Sequence, residues 1–286
     1  MVLESLITPK GAERHPLTMF LFGMLYSSIA IFLGLWIFRD QASLIVVFLT
    51  VFACIPLMVR TMKFEEKKDL MLKKEASMLL HHEKAMKFFI FLFLGIVFGY
   101  SLWFLLLPPT IVQSLFSVQL ATINAINNKV TGDAASASLL LGIIANNLKV
   151  LLFCLFFSFF YGAGAIFILT WNASVIAAAI GSFVRNNIGE YASQIGLIKV
   201  AGYMHIFSLG LLRYLTHGIF EILAYFIAGI AGGIISVAVL RHNLFDPDFN
   251  KVLKDAGWLV LLALIVLFLA GLTEVYVTPG LITTVL

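Results

Sequence analysis

The sequence predicts an all-α protein, a polytopic bundle of transmembrane helices with six or seven crossings. Of its 286 residues, 61% are hydrophobic and only 12% are charged, whereas about 25% of a soluble domain is usually charged. The mean hydropathy is +1.03. Runs of about 20 apolar residues recur, which is the length that crosses hydrocarbon about 30 Å thick. The ten-residue alternation of a membrane barrel is missing. The lipid bilayer is therefore the first partner.

The net charge of the chain is +4, and the positions of the basic residues indicate how the chain crosses the membrane. Eight of the nineteen Lys and Arg residues lie between Arg60 and Lys87, and cytoplasmic loops collect such residues. We therefore expect the N-terminus and the loop 59–87 to be cytoplasmic, in a multi-pass protein of the plasma membrane. The same basic residues suit contact with anionic lipid head groups, so no nucleic-acid partner is predicted.

Residues 1–58 predict an N-terminal transmembrane hairpin. Its spans, Leu17–Phe38 and Gln41–Met58, are separated by a tight turn at Arg39-Asp40. The charged residues before the first span, and the length of that span, do not match a cleavable signal. We expect it to remain as an anchor.

Residues 59–87 interleave acidic, basic and apolar side chains, a pattern typical of an amphipathic cytoplasmic helix. A solvated or interfacial helix is the simpler interpretation, and a docking site for a partner is the alternative. His81-His82 lies here, but the sequence supplies no third metal ligand.

Residues 88–286 form the predicted main transmembrane domain. Phe88–Leu107 is a third span that stops at Pro108-Pro109. Residues 110–141 mix polar and apolar positions, which favours an external loop with a helix lying on the surface. The apolar run Val150–Trp171 predicts a fourth span that returns inward.

The segment after this run is the hardest to assign. Ala173–Val184 is too short to cross alone, so we interpret it as a half-helix or re-entrant segment. Parity then requires an outward crossing, assigned to Ile195–Leu212. A helix that begins near Arg213 runs inward to Leu240, and Trp258–Val277 goes out again.

The most informative stretch begins the inward helix. His217 and Glu221 are four residues apart at the start of an otherwise apolar run, and ionisable groups in a membrane usually face a bundle interior or a cavity. Small residues continue the same helical face and predict close packing of helices. They are Ala224, Ala228 and Gly232, with Ser158 and Gly162 at similar spacing on the fourth span.

Other polar residues lie at the same depth under this topology. Asn146 and Asn147 open an inward helix, Arg213 lies one turn before His217, and Glu274 ends the last outward helix. Buried polar groups need partners. The sequence therefore predicts a polar cluster of these residues in the outer half of the membrane.

Three interpretations of the polar cluster remain open. It is a hydrogen-bonded plug that holds helices together, a proton, ion or small-ligand site, or a metal site formed by His217, Glu221 and Glu274. The metal site has only one imidazole, without the His-Glu-x-x-His spacing of zinc hydrolases. No catalytic residue and no cofactor is predicted.

Cys54 and Cys154 both fall inside apolar runs and lack a Cys-x-x-Cys or Cys/His spacing. They are predicted as packing residues rather than as a disulfide or metal pair.

Three blocks resemble the stage II sporulation protein M family of integral membrane proteins. They are Asn146-Asn147-Leu148-Lys149-Val150, His217-Gly218-Ile219-Phe220-Glu221 and the Ala270–Pro279 segment with Glu274, in the order of the family. The resemblance covers roughly residues 88 to 286. Thr216, Ala173 and Leu223 depart from its pattern. The first 87 residues look like an extension similar to that of archaeal-type members.

The resemblance implies a membrane scaffold that joins partners in the membrane or cell envelope. We therefore expect a non-enzymatic scaffold, alone or as a homo-oligomer. A transporter or ligand-binding protein that uses the polar cluster is the alternative, and an intramembrane metal-dependent hydrolase is a lesser one.

Overall fold

The protein is a bundle of long helices, which confirms the predicted all-α class. The computed structural model describes residues 16–71, 78–130, 136–158, 163–191, 196–241 and 247–278, and these contain no strand. The α-helices are α1 (Pro16–Ile37), α2 (Ala42–Met71), α3 (Met78–Leu106), α4 (Pro109–Leu115), α5 (Ser117–Val130), α6 (Ser136–Ser158), α7 (Ala163–Asn187), α8 (Leu197–Arg241) and α9 (Pro247–Leu272).

Seven stretches within these helices are long and apolar enough to cross a membrane, so the chain is a multi-pass membrane protein. They are Pro16–Ile37, Arg39–Thr61, Ala85–Leu106, Leu140–Ser158, Ile166–Asn187, Gly218–Val239 and Phe249–Val277. We call them the candidate spans. The seven candidate spans agree with the predicted count of six or seven crossings. The arrangement of long helices agrees with the predicted polytopic bundle.

The first three candidate spans lie where the sequence placed them. A 3-10 turn at Arg39–Gln41 joins α1 to α2, and α3 ends just before Pro108. Both α2 and α3 extend beyond the apolar stretches into the charged segment 59–87, where residues 72–77 are outside the described residues. The segment predicted as a linker helix is therefore not separate from the spans. Its first residues continue α2, and its last residues belong to the start of α3.

The predicted fourth span, Val150–Trp171, is wrong. Helix α6 ends at Ser158 and α7 begins at Ala163, so two antiparallel helices share this apolar run. Ala173–Val184 is part of α7 rather than a half-helix. The predicted external loop is also shorter, because α6 already begins at Ser136. Hydropathy misses this division into two helices because the residues on both sides of it are equally apolar.

The predicted helix start near Arg213 and the separate crossing at Ile195–Leu212 are also wrong. Helix α8 runs without a break over 45 residues, about 67 Å of helix. It contains no proline, and its glycines are tolerated in a helix that packs against α7. The crossing that parity required between α6 and α8 is α7, so α6 and the apolar part of α8 still run in the same direction.

Helix α8 is the centre of the bundle. It packs against α2, α3, α6, α7 and α9. Every residue from Ala224 to Ile234 is buried. A membrane helix that is buried on all sides has its contacts with protein rather than with lipid.

Helices α1 and α3 form a parallel pair in close contact. A Cβ atom added to Gly95 would lie 2.9 Å from the Cα atom of Phe20, and one added to Gly99 would lie 3.2 Å from the Cα atom of Met24. The glycines are four residues apart, the spacing that lets membrane helices approach closely. One turn further on, Trp103 Nε1 donates to Ser28 Oγ at 2.8 Å.

Helices α6 and α8 form a second parallel pair. Asn147 contacts Glu221 at a separation of 74 residues, and Ser158 faces Gly232 at the same separation. A Cβ atom on Gly232 would lie 2.6 Å from the Cβ atom of Ser158. The predicted packing role of Ser158 and Gly232 thus corresponds to a close helix contact, while Gly162 lies outside the described residues.

Buried polar side chains tie other helices together. Gln119 Nε2 donates to Ser174 Oγ at 3.1 Å, and Gln119 Oε1 accepts from Ser43 Oγ at 2.7 Å. Arg185 Nη2 donates to the carbonyl oxygen of Leu107 at 2.5 Å, at the end of α3, where a cation is favoured by the helix dipole.

Both cysteines are unpaired and buried. Cys54 lies on α2 and Cys154 lies on α6, on the sides of those helices that face the bundle. Their packing role is therefore confirmed.

Candidate functional site

Glu221 is the residue around which the candidate site is built. It lies near the start of the apolar stretch of α8, three residues after Gly218, and its side chain is half-buried. Ala224 and Ala228, which continue its face of the helix, are fully buried. The small residues let neighbouring helices come close enough to reach the carboxyl group.

Asn147 of α6 reaches Glu221 directly. Its Nδ2 donates to Oε1 of Glu221, and its side chain is buried. The preceding Asn146 is exposed, with its Nδ2 only 3.5 Å from Asn147 Oδ1. The two asparagines were predicted to belong to one cluster, but only Asn147 faces Glu221. Adjacent residues of a helix point about 100° apart, so Asn146 faces elsewhere.

Glu274 approaches the same carboxyl group from the other side. The carboxyl group of Glu274 lies next to that of Glu221. Two neighbouring carboxylates repel each other, so such a pair is most stable when it holds one proton between its two groups. The pair then carries a single negative charge, which the amide of Asn147 helps to stabilise.

A π-helical turn holds Glu274 in this position. Thr273–Val277 follow α9, and the amide of Thr278 donates to the carbonyl oxygen of Thr273, five residues earlier. Thr278 Oγ1 donates to the same oxygen at 3.1 Å. Such turns insert a residue into a helix and re-aim its side chains, and they are frequent at functional sites.

Tyr225 is a neighbour of the site that the sequence analysis missed. It lies one turn after Glu221 on α8 and is 2% exposed. Its hydroxyl lies in the neighbourhood of Glu221, Glu274 and Cys154. The i, i+4 spacing from Glu221 was the available signal, but a tyrosine within an apolar run looks like an ordinary core residue.

Arg213 and His217 lie on α8, but their side chains are outside the described residues. Their predicted pairing with a glutamate therefore stays a prediction. In the part of the chain that the structure describes, no group of three or more His, Cys, Asp and Glu side chains is arranged to hold a metal ion.

Three helices thus meet at the site: α6 supplies Asn147, α8 supplies Glu221 and Tyr225, and the turn after α9 supplies Glu274. We call Asn147, Glu221 and Glu274 the polar triad. Its chemistry is that of an amide donor beside two neighbouring carboxyl groups. This arrangement can join helices or exchange a proton.

Comparison with known proteins identifies the region that contains the polar triad. A family model described as Stage II sporulation protein M matches residues 88–279. An uncharacterized protein of Methanocaldococcus jannaschii is 31% identical over 147 residues, which cover 50% of this chain and 73% of that protein. No solved structure matches the chain.

Proposed function

This chain belongs to the stage II sporulation protein M family, and on that premise we propose that it is a non-enzymatic scaffold of the membrane. In this proposal the bundle is a rigid platform on which other proteins of the membrane or cell envelope assemble. The polar triad then has the task of fixing the relative positions of α6, α8 and α9.

One observation carries the proposal: the polar groups of the triad are directed at one another. Glu221 accepts a hydrogen bond from Asn147 and lies beside Glu274. The helix that presents it is buried from Ala224 to Ile234. Polar bonds between membrane helices are a recognised means of association in lipid. The contacts that the residues of the polar triad make with one another across three helices therefore support a structural role.

The orientation is part of the proposal. The basic residues between Arg60 and Lys87 favour the cytoplasmic side for segment 59–87 and for the N-terminus. Arg241, Lys251 and Lys254 surround the connection from α8 to α9, which lies on the same side if all seven candidate spans cross. The polar triad then lies in the outer half of the bilayer.

A first experiment separates this proposal from the transport alternative. The wild-type chain and Glu221→Gln are reconstituted in vesicles with a pH difference across the membrane, and proton flux is followed with an enclosed dye. A scaffold is expected to give the same background flux in both preparations. A wild-type flux that is lost in well-folded Glu221→Gln would contradict the proposal and favour a transport function.

A second experiment asks whether the chain assembles at all. Crosslinking in the membranes in which the chain naturally resides is expected to place it in defined complexes larger than its 31.7 kDa monomer. Glu221→Leu is expected to reduce the amount of those complexes by disturbing α6, α8 and α9. A wild-type chain that stays monomeric would overturn the scaffold proposal.

A further inference from the structure

The N-terminal hairpin, formed by α1 and α2, lies outside the part of the chain that the family model matches. We call residues 88–279 the family region; α2 ends before it, at Met71. Although α3 follows α2 in sequence, the helix that packs along α3 is α1, and α2 lies against α7, α8 and α9. Contacts with the family region, rather than the chain connection, therefore set the position of the hairpin.

The surface of α3 that meets α1 allows close approach. Gly95 and Gly99 bring the backbone of α3 against that of α1. Gly23 does the same from the α1 side, because a Cβ atom added to it would lie 2.9 Å from the backbone nitrogen of Ile96. A larger residue at any of these positions forces the helices apart. The surface therefore accepts a helix that carries a small residue at the matching position.

Neutral polar groups add hydrogen bonds to this contact. Trp103 Nε1 donates to Ser28 Oγ of α1 at 2.8 Å. The hydroxyl group of Tyr100 lies 2.6 Å from that of Thr50 on α2. Each pair joins one residue of the family region to one residue of the hairpin. Because none of the four side chains is charged, the hairpin binds here without the cost of desolvating an ion.

Ser43, at the start of α2, is recognised by α5 both as a donor and as an acceptor. Its Oγ donates to Gln119 Oε1 at 2.7 Å and accepts from the backbone amide of Val118 at 3.2 Å. Gln119 Nε2 in turn donates to Ser174 Oγ of α7 at 3.1 Å. The side chains of Ser43 and Gln119 are buried. An occupant without a hydroxyl group at this position would leave buried polar groups without partners.

We propose that the family region carries a docking surface for a transmembrane helical hairpin, and that the N-terminal hairpin occupies it as a tethered partner. The docking surface consists of Gly95, Gly99, Tyr100, Trp103 and Gln119. It binds a two-helix unit with a small residue facing α3 and a hydroxyl group facing α5, and the covalent link to the hairpin is not needed for binding. While the hairpin is bound, this surface is closed to other membrane proteins. The inference goes beyond the proposed scaffold function and does not depend on it.

The test cuts the full chain after it has folded. A protease site is placed between residues 71 and 78, with an epitope tag before α1 and an affinity tag after α9. The chain is cut in its membrane, dissolved in dodecyl maltoside and purified on the affinity tag. The wild-type hairpin is expected to co-purify with the family region in the same amount as from the uncut chain. Loss of the wild-type hairpin during purification would overturn the proposal.

Gly23→Leu tests the contact between α1 and α3. Its larger side chain presses on the backbone of α3, so the recovered hairpin is expected to fall by about tenfold, which corresponds to about 1.4 kcal/mol and lies within the usual cost of overpacking. Leu25→Phe enlarges an exposed side chain of the same helix and should keep the wild-type recovery. Equal recovery of the hairpin from the two variants would contradict docking at this surface.

Ser43→Ala is a milder variant that decides the matter if Gly23→Leu does not fold. The recovered hairpin is expected to fall about threefold, the size of an average hydrogen bond between membrane helices. Gln119→Leu removes the same bond from the family region. The double variant should therefore lose little more than the larger single effect. Fully additive losses would show that Gln119 does not recognise Ser43.

The docking inference and the scaffold function are judged by different results. A hairpin that is lost after cleavage, from a chain that still forms complexes in the native membrane, would defeat only the docking inference. A chain that is monomeric in the native membrane but retains its cut hairpin would defeat only the scaffold.

Discussion

Two pairs of parallel helices hold this bundle together with different contacts. Between α1 and α3, Gly95 meets Phe20, Gly99 meets Met24 and Trp103 bonds to Ser28, always at a separation of 75 residues. Between α6 and α8, Asn147 meets Glu221 and Gly232 faces Ser158, at a separation of 74 residues. Both pairs keep a constant register, yet the first is mainly backbone contact, whereas the second places an ionisable carboxyl group in its interface.

The difference shows two solutions to one physical problem. Helices in lipid gain little from the hydrophobic effect, because lipid tails are as apolar as leucine side chains. The α1/α3 pair gains dispersion energy from backbones that nearly touch. The α6/α8 pair gains from a polar contact, because its polar groups would find no water to bond to in hydrocarbon if the contact were lost. The first pair should therefore be sensitive to side-chain size, and the second to side-chain chemistry.

The largest effect is expected from Gly95→Ala. The new methyl group would press on the backbone of Phe20, so α1 and α3 must separate, at a cost of about 3 kcal/mol, the upper part of the usual range for overpacking. The measurement is unfolding in mixed micelles with increasing dodecyl sulfate. Gly142→Ala, which adds the same methyl group in open space, should not destabilise the protein. Equal losses in both variants would break the comparison.

A smaller effect is expected from Glu221→Leu. It leaves the amide of Asn147 and the carboxyl group of Glu274 without their partner, which costs about 2 kcal/mol. Glu221→Gln keeps a group that can bond to both neighbours and should cost less than about 1 kcal/mol. The same unfolding measurement compares them. If Leu and Gln are tolerated equally, hydrogen bonding does not hold α6 to α8.

The smallest effect is expected from Ser28→Ala. It removes the acceptor of Trp103 Nε1 from an interface that close packing already holds, and membrane hydrogen bonds average about 0.6 kcal/mol. A double-mutant cycle with Trp103→Phe isolates this bond from the lost ring area. A coupling energy as large as the effect of Glu221→Leu would show that the α1/α3 pair also depends on polar contact.

The membership of the polar triad was largely predictable from sequence. Glu221 and Glu274 are polar residues near the ends of long apolar helices, and the parity of the crossings put those ends on one side, while Asn147 lies within the apolar stretch of α6. Equal depth and the need of buried polar groups for partners then bring them together. The assignment of individual crossings between Val150 and Leu240 was wrong, and Asn147 lies within its span rather than at the start of it. Helices α6 and α8 are nevertheless parallel, as the prediction required, and their register brings Asn147 to Glu221.

Other features of the site were not predictable. Nothing in Asn146-Asn147 tells which amide faces α8, since that depends on the rotation of α6 about its axis. Tyr225 and the π-helical turn at Glu274 depend in the same way on contacts between distant segments. The GxxxG spacing of Gly95 and Gly99 was visible, but its partner surface on α1 was not.

The sequence by itself determined that the chain consists of long apolar helices and that its few polar residues among them need partners, because hydrocarbon demands such helices and leaves few places for charge. Only the tertiary structure decided where apolar runs turn and which helix faces meet. In soluble proteins, the alternation of polar and apolar residues reveals the buried face. Here, lipid-facing and protein-facing residues are both apolar, so that signal disappears and packing alone makes the choice.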